Sequence, residues 1–186
     1  MGCGKSTAAG IFEEFGFRRA DADEQIRRVV LSDPKVIRAI VERFGPSALR
    51  PEGTVDRSAV ARIVFVNDGE LRWLEELLQP RLFAYWRQLL AERSEHPWVF
   101  EVPLLFEKRL ENWFDFTVCV ATSSTNQLAR LAERGMSQAL AEQRISKQLP
   151  LAQKLELADF VLLNDGSSAF LRDQIATLVE KLRGHC

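Results

Sequence analysis

Two hydrophobic rhythms alternate along the chain. Ala8, Ala9, Ile11, Phe12 and Phe15 recur at helical spacing before Gly16 stops the run. Short apolar segments of strand type follow at Phe17–Ala20, Trp98–Val102, Phe116–Ala121 and Phe160–Leu163. Helical patterns separate these segments, so the predicted fold is α/β, a doubly wound and mostly parallel sheet covered by helices on both faces. Ligands in such sheets bind at the carboxyl ends of the strands. Polar or turn residues stand at those ends here: Asp21-Ala22-Asp23, Pro103 and Asn164-Asp165-Gly166.

Between the first two strands the pattern is helical throughout. Ser32-Asp33-Pro34 caps a predicted helix that runs to Phe44 and stops at Gly45-Pro46. Asp56 starts a second helix through Val66, and a longer stretch from Glu70 to Arg93 is expected to break near Pro80. Residues 26–95 therefore read as a helical insertion without strands, closing over one side of the site. A helical pair, Thr125–Glu133 and Gln138–Gln148 about Gly135, follows the third strand and carries Arg130, Arg134, Arg144 and Lys147. The expected organisation is a nucleotide-binding core of residues 1–25, 96–124 and 154–186, the insertion 26–95, and a lid 125–153.

Composition narrows the class. The 186 residues, 46% of them hydrophobic, suit one globular unit, and 25 basic against 26 acidic residues leave a net charge of −1. No global field draws such a chain to nucleic acid or an anionic membrane, so any anion site must be local. Three widely spaced cysteines argue against a disulfide framework or zinc site and for a reducing cytoplasm. No signal peptide or membrane-length apolar run is present. Oligomeric state leaves no mark in the sequence.

The chemistry is concentrated at the start. Met1-Gly2-Cys3-Gly4-Lys5-Ser6-Thr7 is the closing half of a phosphate-binding loop, G-x-x-x-x-G-K-[ST]. Glycines let consecutive N–H groups turn inward on phosphates, Lys5 reaches the β- and γ-phosphates, and the Ser6 hydroxyl suits Mg²⁺. The opening glycine of the pattern would fall two residues before Met1, with its feeding strand earlier still. A gene that extends upstream is the expectation. The plain alternative is a glycine turn before an ordinary amphipathic helix.

Further segments, in order, resemble the dephospho-CoA kinase family. Gly2–Thr7 is similar to the end of its G-G-[IM]-G-x-G-K-S-T loop, and Asp21-Ala22-Asp23 with Arg27 to its D-A-D-x-x-x-R stretch. Trp73-Leu74-Glu75 with Leu77-Leu78-Gln79-Pro80 resembles W-L-x-x-L-L-H-P, with Gln79 where the family usually has His. Val102-Pro103-Leu104-Leu105-Phe106-Glu107 matches V-P-L-L-F-E; Gln127-Leu128, Arg130-Leu131, Arg134, Arg144-Ile145 and Gln148 resemble the lid helices; Asn164-Asp165-Gly166 resembles the N-x-G turn.

The resemblance implies an enzyme that phosphorylates the ribose 3′-hydroxyl of dephospho-CoA, with ATP as co-substrate and Mg²⁺ as metal. Lys5, Asp23 and Arg134 would then be catalytic, Asp23 as the base facing the 3′-hydroxyl. ATP would be held by Gly2, Cys3, Gly4, Lys5, Ser6, Thr7, Arg134, Arg144 and Asn164. The acceptor would meet Asp21, Asp23, Arg27, Leu104, Leu105, Phe106 and Glu107. Each has a structural alternative: a helix N-cap for Asp23 or Asp21, surface pairs with Glu133 and Glu142 for the arginines, core packing for Leu104–Phe106, and a turn for Asn164. The tryptophans 73, 86, 98 and 113 read as packing residues. Two rival functions stay open: a nucleoside or nucleotide kinase, and a catalytically silent nucleotide-binding protein.

Overall fold

The computed structural model describes residues 1–93 and 95–184. The chain divides into two units, Met1–Arg19 with Pro97–Cys186 and Ala20–His96.

In the first unit, α1 (Lys5–Glu14) leaves the glycine loop and buries Ala8, Ala9, Ile11 and Phe12. The chain then enters β1 (Arg18–Asp21), whose Arg18 N–H donates to Pro97 O beside β2 (Trp98–Glu101). β3 (Val118–Ala121) and β4 (Phe160–Leu163) pair in parallel, Val118 opposite Phe160 through Ala121 opposite Leu163. The core joins Ile11 and Phe12 of α1 to Val120, Leu162 and the inner face of the C-terminal helix, where Leu171, Ile175 and Val179 are almost wholly buried.

All four strands stand where the apolar segments predict, Phe160–Leu163 to the residue and the others with ends moved by at most two residues. The strand ladders come as two pairs, β1 with β2 and β3 with β4. No ladder joins β2 to β3 among the described residues. Helices α6 (Ser124–Glu133) and α7 (Gln138–Ser146) form the expected pair. A short helix, the α8 segment Leu151–Leu157 behind Pro150, was not expected; α9 (Ser168–Arg183) closes the unit.

The second unit is helical. α2 (Ala22–Arg28) is capped by Asp21, α3 (Pro34–Phe44) by Asp33 and α4 (Arg57–Val64) by Asp56. Each cap side chain accepts an N–H that the first helical turn leaves without a partner. Val36 and Ile40 of α3 are fully buried, with Val60, Val64, Leu82 and Trp86 also in the interior. Beyond Ala20 and Asp21 at the end of β1, the described residues of the unit contain no strand, only an isolated antiparallel bridge between Leu49 and Val55.

The expected break at Pro80 does not occur. α5 runs unbroken from Asp68 to Glu92 with Pro80 inside it. Proline removes one backbone donor and crowds the preceding turn. The carbonyl that loses its donor is that of Glu76; the Arg81 guanidinium donates to the next one, Leu77 O, at 2.7 Å. Leu78, Leu82, Phe83 and Trp86, buried on either side of the proline, hold the helix together through packing. Trp86 Nε1 donates to Gln25 Oε1 inside this unit. Trp113 departs from the packing expectation and is 40% exposed.

Candidate active site

The loop before α1 has the backbone a phosphate cradle requires. Gly2 and Gly4 have φ of 74° and 93°, in the left-handed region that residues with side chains avoid. Gly4 is also the helix N-cap, and a Cβ there would run into Asn164 Nδ2. Lys5, Ser6 and Thr7 follow on the exposed first turn of α1, where the N–H groups lack intrahelical partners and the helix dipole favours an anion.

The loop is braced from three elements. Asn164, at the end of β4 and 7% exposed, donates through Nδ2 to Cys3 O at 2.8 Å. Its own carbonyl accepts from Arg130 Nη2 of α6 at 2.8 Å. Gln127, one turn earlier on α6, donates to Met1 O at 2.6 Å. From β2 comes Glu101, 7% exposed, whose Oε2 accepts the Ser6 hydroxyl at 2.7 Å. Glu101 Oε1 accepts Arg19 Nε at 2.7 Å, and Arg19 also lies 3.5 Å from Glu13. Burial opposes the charge on Arg19, but the hydrogen bond and attraction of Glu101, reinforced by Glu13, raise its pKa above the ordinary value.

Glu101 and Arg19 were not among the sequence candidates. The available signal was an acidic residue closing an apolar strand, a position where burial demands a partner.

Asp165 joins the carboxyl ends of β3 and β4 to the start of α6. Its Oδ1 accepts Ser123 N–H, the Thr122 and Ser123 hydroxyls and the Asn126 amide, all within 2.9 Å. The Ser123 N–H, then the side-chain donors, hold its pKa far below the ordinary aspartate value.

The remaining sequence candidates are distributed unevenly. Glu107 is half-buried and already paired, with Lys154 Nζ at 2.7 Å and Leu149 N–H at 3.0 Å. Phe106 is in the interior, while Leu104 is 38% exposed. Arg134 caps α6 and Arg144 lies in the last turn of α7; both are exposed. The alternative pairing of Arg134 with Glu133 and of Arg144 with Glu142 is not seen among the described residues; Glu142 instead accepts from Gln138. Asp23 and Arg27 lie on α2 of the other unit, and Asp21 directly precedes it. Asp21 takes the N-cap and accepts the Glu24 N–H at 3.0 Å, so Asp23 and Arg27 stand exposed on the helix itself.

The dephospho-CoA kinase family model matches residues 1–169. The chain belongs to this family. A dephospho-CoA kinase of Thermosynechococcus vestitus is 40% identical over 94% of this chain and 87% of its own, and one of Geobacter metallireducens is 40% identical over 94% and 89%. Among solved structures, TT1252 from Thermus thermophilus superposes with a TM-score of 0.82 at 34% identity, over 97% of this chain and 93% of that one. The dephospho-CoA kinase of Campylobacter jejuni gives 0.72 at 25% identity, over 100% and 95%. Family membership makes the chain a kinase of the P-loop α/β fold, as the sequence pattern and motif order indicate. No described helix is long and apolar enough to cross a membrane.

Proposed function

We propose that this chain transfers the γ-phosphoryl group of ATP to the ribose 3′-hydroxyl of dephospho-CoA, giving coenzyme A and ADP. The observation that carries the reading is the braced glycine loop opening on Lys5, Ser6 and Thr7, in a chain of this family. Phosphoryl transfer needs little covalent work from a protein; positioning and charge neutralisation supply the rate. Backbone N–H groups from Gly2 to Thr7 hold the phosphates, Lys5 meets the β- and γ-phosphates, and Asn164 keeps the loop in shape from the ATP side.

Ser6 and Glu101 are the groups suited to Mg²⁺. A hydroxyl and a carboxylate 2.7 Å apart are hard oxygen donors of the kind that ion prefers. The bound ion would neutralise charge on the phosphates. Glu101 accepts the hydrogen bond of the Ser6 hydroxyl and leaves the serine oxygen lone pairs turned away from it, while Arg19 balances the buried carboxylate.

Asp23 orients the 3′-hydroxyl and takes its proton. Its contribution is mainly positional. Arg27 and the turn Leu104–Phe106 receive the acceptor, and Arg134 and Arg144 bring planar donor forks to the phosphates. The reaction belongs to the cytoplasm, where the widely spaced cysteines stay reduced.

The test is ADP release from Mg·ATP with dephospho-CoA, adenosine, AMP or no acceptor. Turnover with dephospho-CoA alone, collapsing in Asp23→Asn, is expected. Turnover with adenosine or AMP instead would move the protein to the nucleoside and nucleotide kinases. ATP binding without turnover on any acceptor would make it a silent nucleotide-binding protein.

A further inference from the structure

The turn after β2 contains two residues whose backbone ordinarily requires glycine, Leu104 at φ 55° and Arg109 at φ 52°. Between them Lys108 N–H donates to Leu104 O at 3.0 Å and Leu110 N–H to Leu105 O at 3.0 Å, so the segment is wound tightly. Left-handed backbone at a residue with a side chain costs energy and persists only where the surroundings over-determine it.

Two anchors do so here. Phe106 is buried at 8% exposure, and next to it the Glu107 carboxylate is taken up by groups from the far end of the α6–α7 segment. Glu107 Oε1 accepts Leu149 N–H, from the link between α7 and α8, at 3.0 Å and Lys154 Nζ, from α8, at 2.7 Å. Lys154 also reaches Gln148 Oε1 at 3.4 Å. The Glu107 and Lys154 side chains are only 16% and 19% exposed. Burial works against the charge on Glu107, but the lysine and the N–H donors outweigh it and hold its pKa below the ordinary range. Leu104, at the strained start of the same turn, is left 38% exposed.

We infer that Glu107 is a positioning residue: through Lys154 and Leu149 its carboxylate latches the acceptor turn to the base of the arginine-bearing helices, and so fixes how Leu104 and Leu105 are presented to dephospho-CoA. It acts through the turn and not by contact with the acceptor, in place of the direct role the family resemblance suggests. The inference rests on the acceptor assignment proposed above.

Steady-state kinetics with both substrates varied, on wild type, Glu107→Gln, Lys154→Met and the double variant, tests it. The latch requires KM for dephospho-CoA to rise by a comparable factor, roughly 10- to 100-fold, in each single variant, as for a misplaced positioning group. The double variant should be no worse than either single one, and Lys154→Arg should restore much of the loss. KM for ATP should change less than KM for dephospho-CoA: Gln148, which Lys154 reaches, also accepts the Met1 N-terminal amine at 3.2 Å, but Gln127, Asn164 and Glu101 brace the phosphate loop from other positions.

A rise in Glu107→Gln with no change in Lys154→Met would mean direct contact and overturn the latch. Lowered thermal stability with unchanged KM in all variants would reduce the pair to a structural one and overturn it too. If Glu107→Gln does not fold, Lys154→Met decides alone by the same criterion. Absence of wild-type turnover with dephospho-CoA overturns the kinase reading and the latch with it, whereas wild-type turnover with an unaltered Lys154→Met overturns the latch only.

Discussion

From Met1 to Ser6 the chain is tied down by Gln127, Asn164 and Glu101, whereas Arg134 and Arg144, which the family pattern assigns to the same nucleotide, are exposed and carry no ion pair among the described residues. Protein groups hold the loop in place, so its N–H groups need not be rearranged at the moment of reaction. The arginines are held only by the helices that carry them, and their forks gain partners when the nucleotide supplies them. Stability and catalysis are thus coupled in the loop and separated on the helices.

The largest effect expected from this contrast is on the helix side. Arg134→Met should lower kcat by about 10³- to 10⁵-fold, the range for an arginine at a transferring phosphoryl group, or roughly 4 to 7 kcal/mol of barrier. Its melting temperature should remain that of the wild type, because the residue is exposed. ADP release alongside differential scanning fluorimetry checks both, and a melting temperature that falls with kcat would break the contrast.

Gly4→Ala is the counterpart in the loop. A Cβ would meet Asn164 Nδ2 on a backbone at φ 93°, and the combined strain and overpacking should cost about 2 to 5 kcal/mol of stability. Urea unfolding measures that cost and a titration with Mg·ADP the expected loss of affinity; wild-type values in both would show that the loop is not rigidly braced.

The smallest effect concerns Asp165, which ties the strand ends to α6. Its folded-state pKa is depressed, so its stabilising contribution is present above the ordinary aspartate range, near 3.8, and is lost as pH falls toward the folded-state value. The difference between wild type and Asp165→Asn in urea midpoint should therefore be constant from pH 7 to about pH 5 and shrink below about pH 4. A difference independent of pH down to 3 would mean that the carboxylate charge plays no part.

Where an element is decided by neighbours in sequence, it was readable. The α3 span Pro34–Phe44 follows from an aspartate cap, a first-turn proline and a terminal glycine, and the structure reproduces it to the residue. The four strands follow from apolar runs between turn residues. At Pro80 a local rule, proline ends helices, meets a buried face that continues through it. For Glu101 its place at the close of an apolar strand marks the need for a partner but not which one, since Ser6 is 95 residues away.

The sequence by itself determined the periodicities, the caps, the glycine positions and the order of motifs that marks the family, since each is written in residues a few positions apart. Only the tertiary structure decided which side chains brace the loop and which stay free for ligand. It set Asn164 against Cys3 across 161 positions and Lys154 against Glu107, and it gave the cap of α2 to Asp21 and not to Asp23. The physical reason is that a buried polar group must find a partner wherever the fold brings one, and separation along the chain carries no record of that proximity.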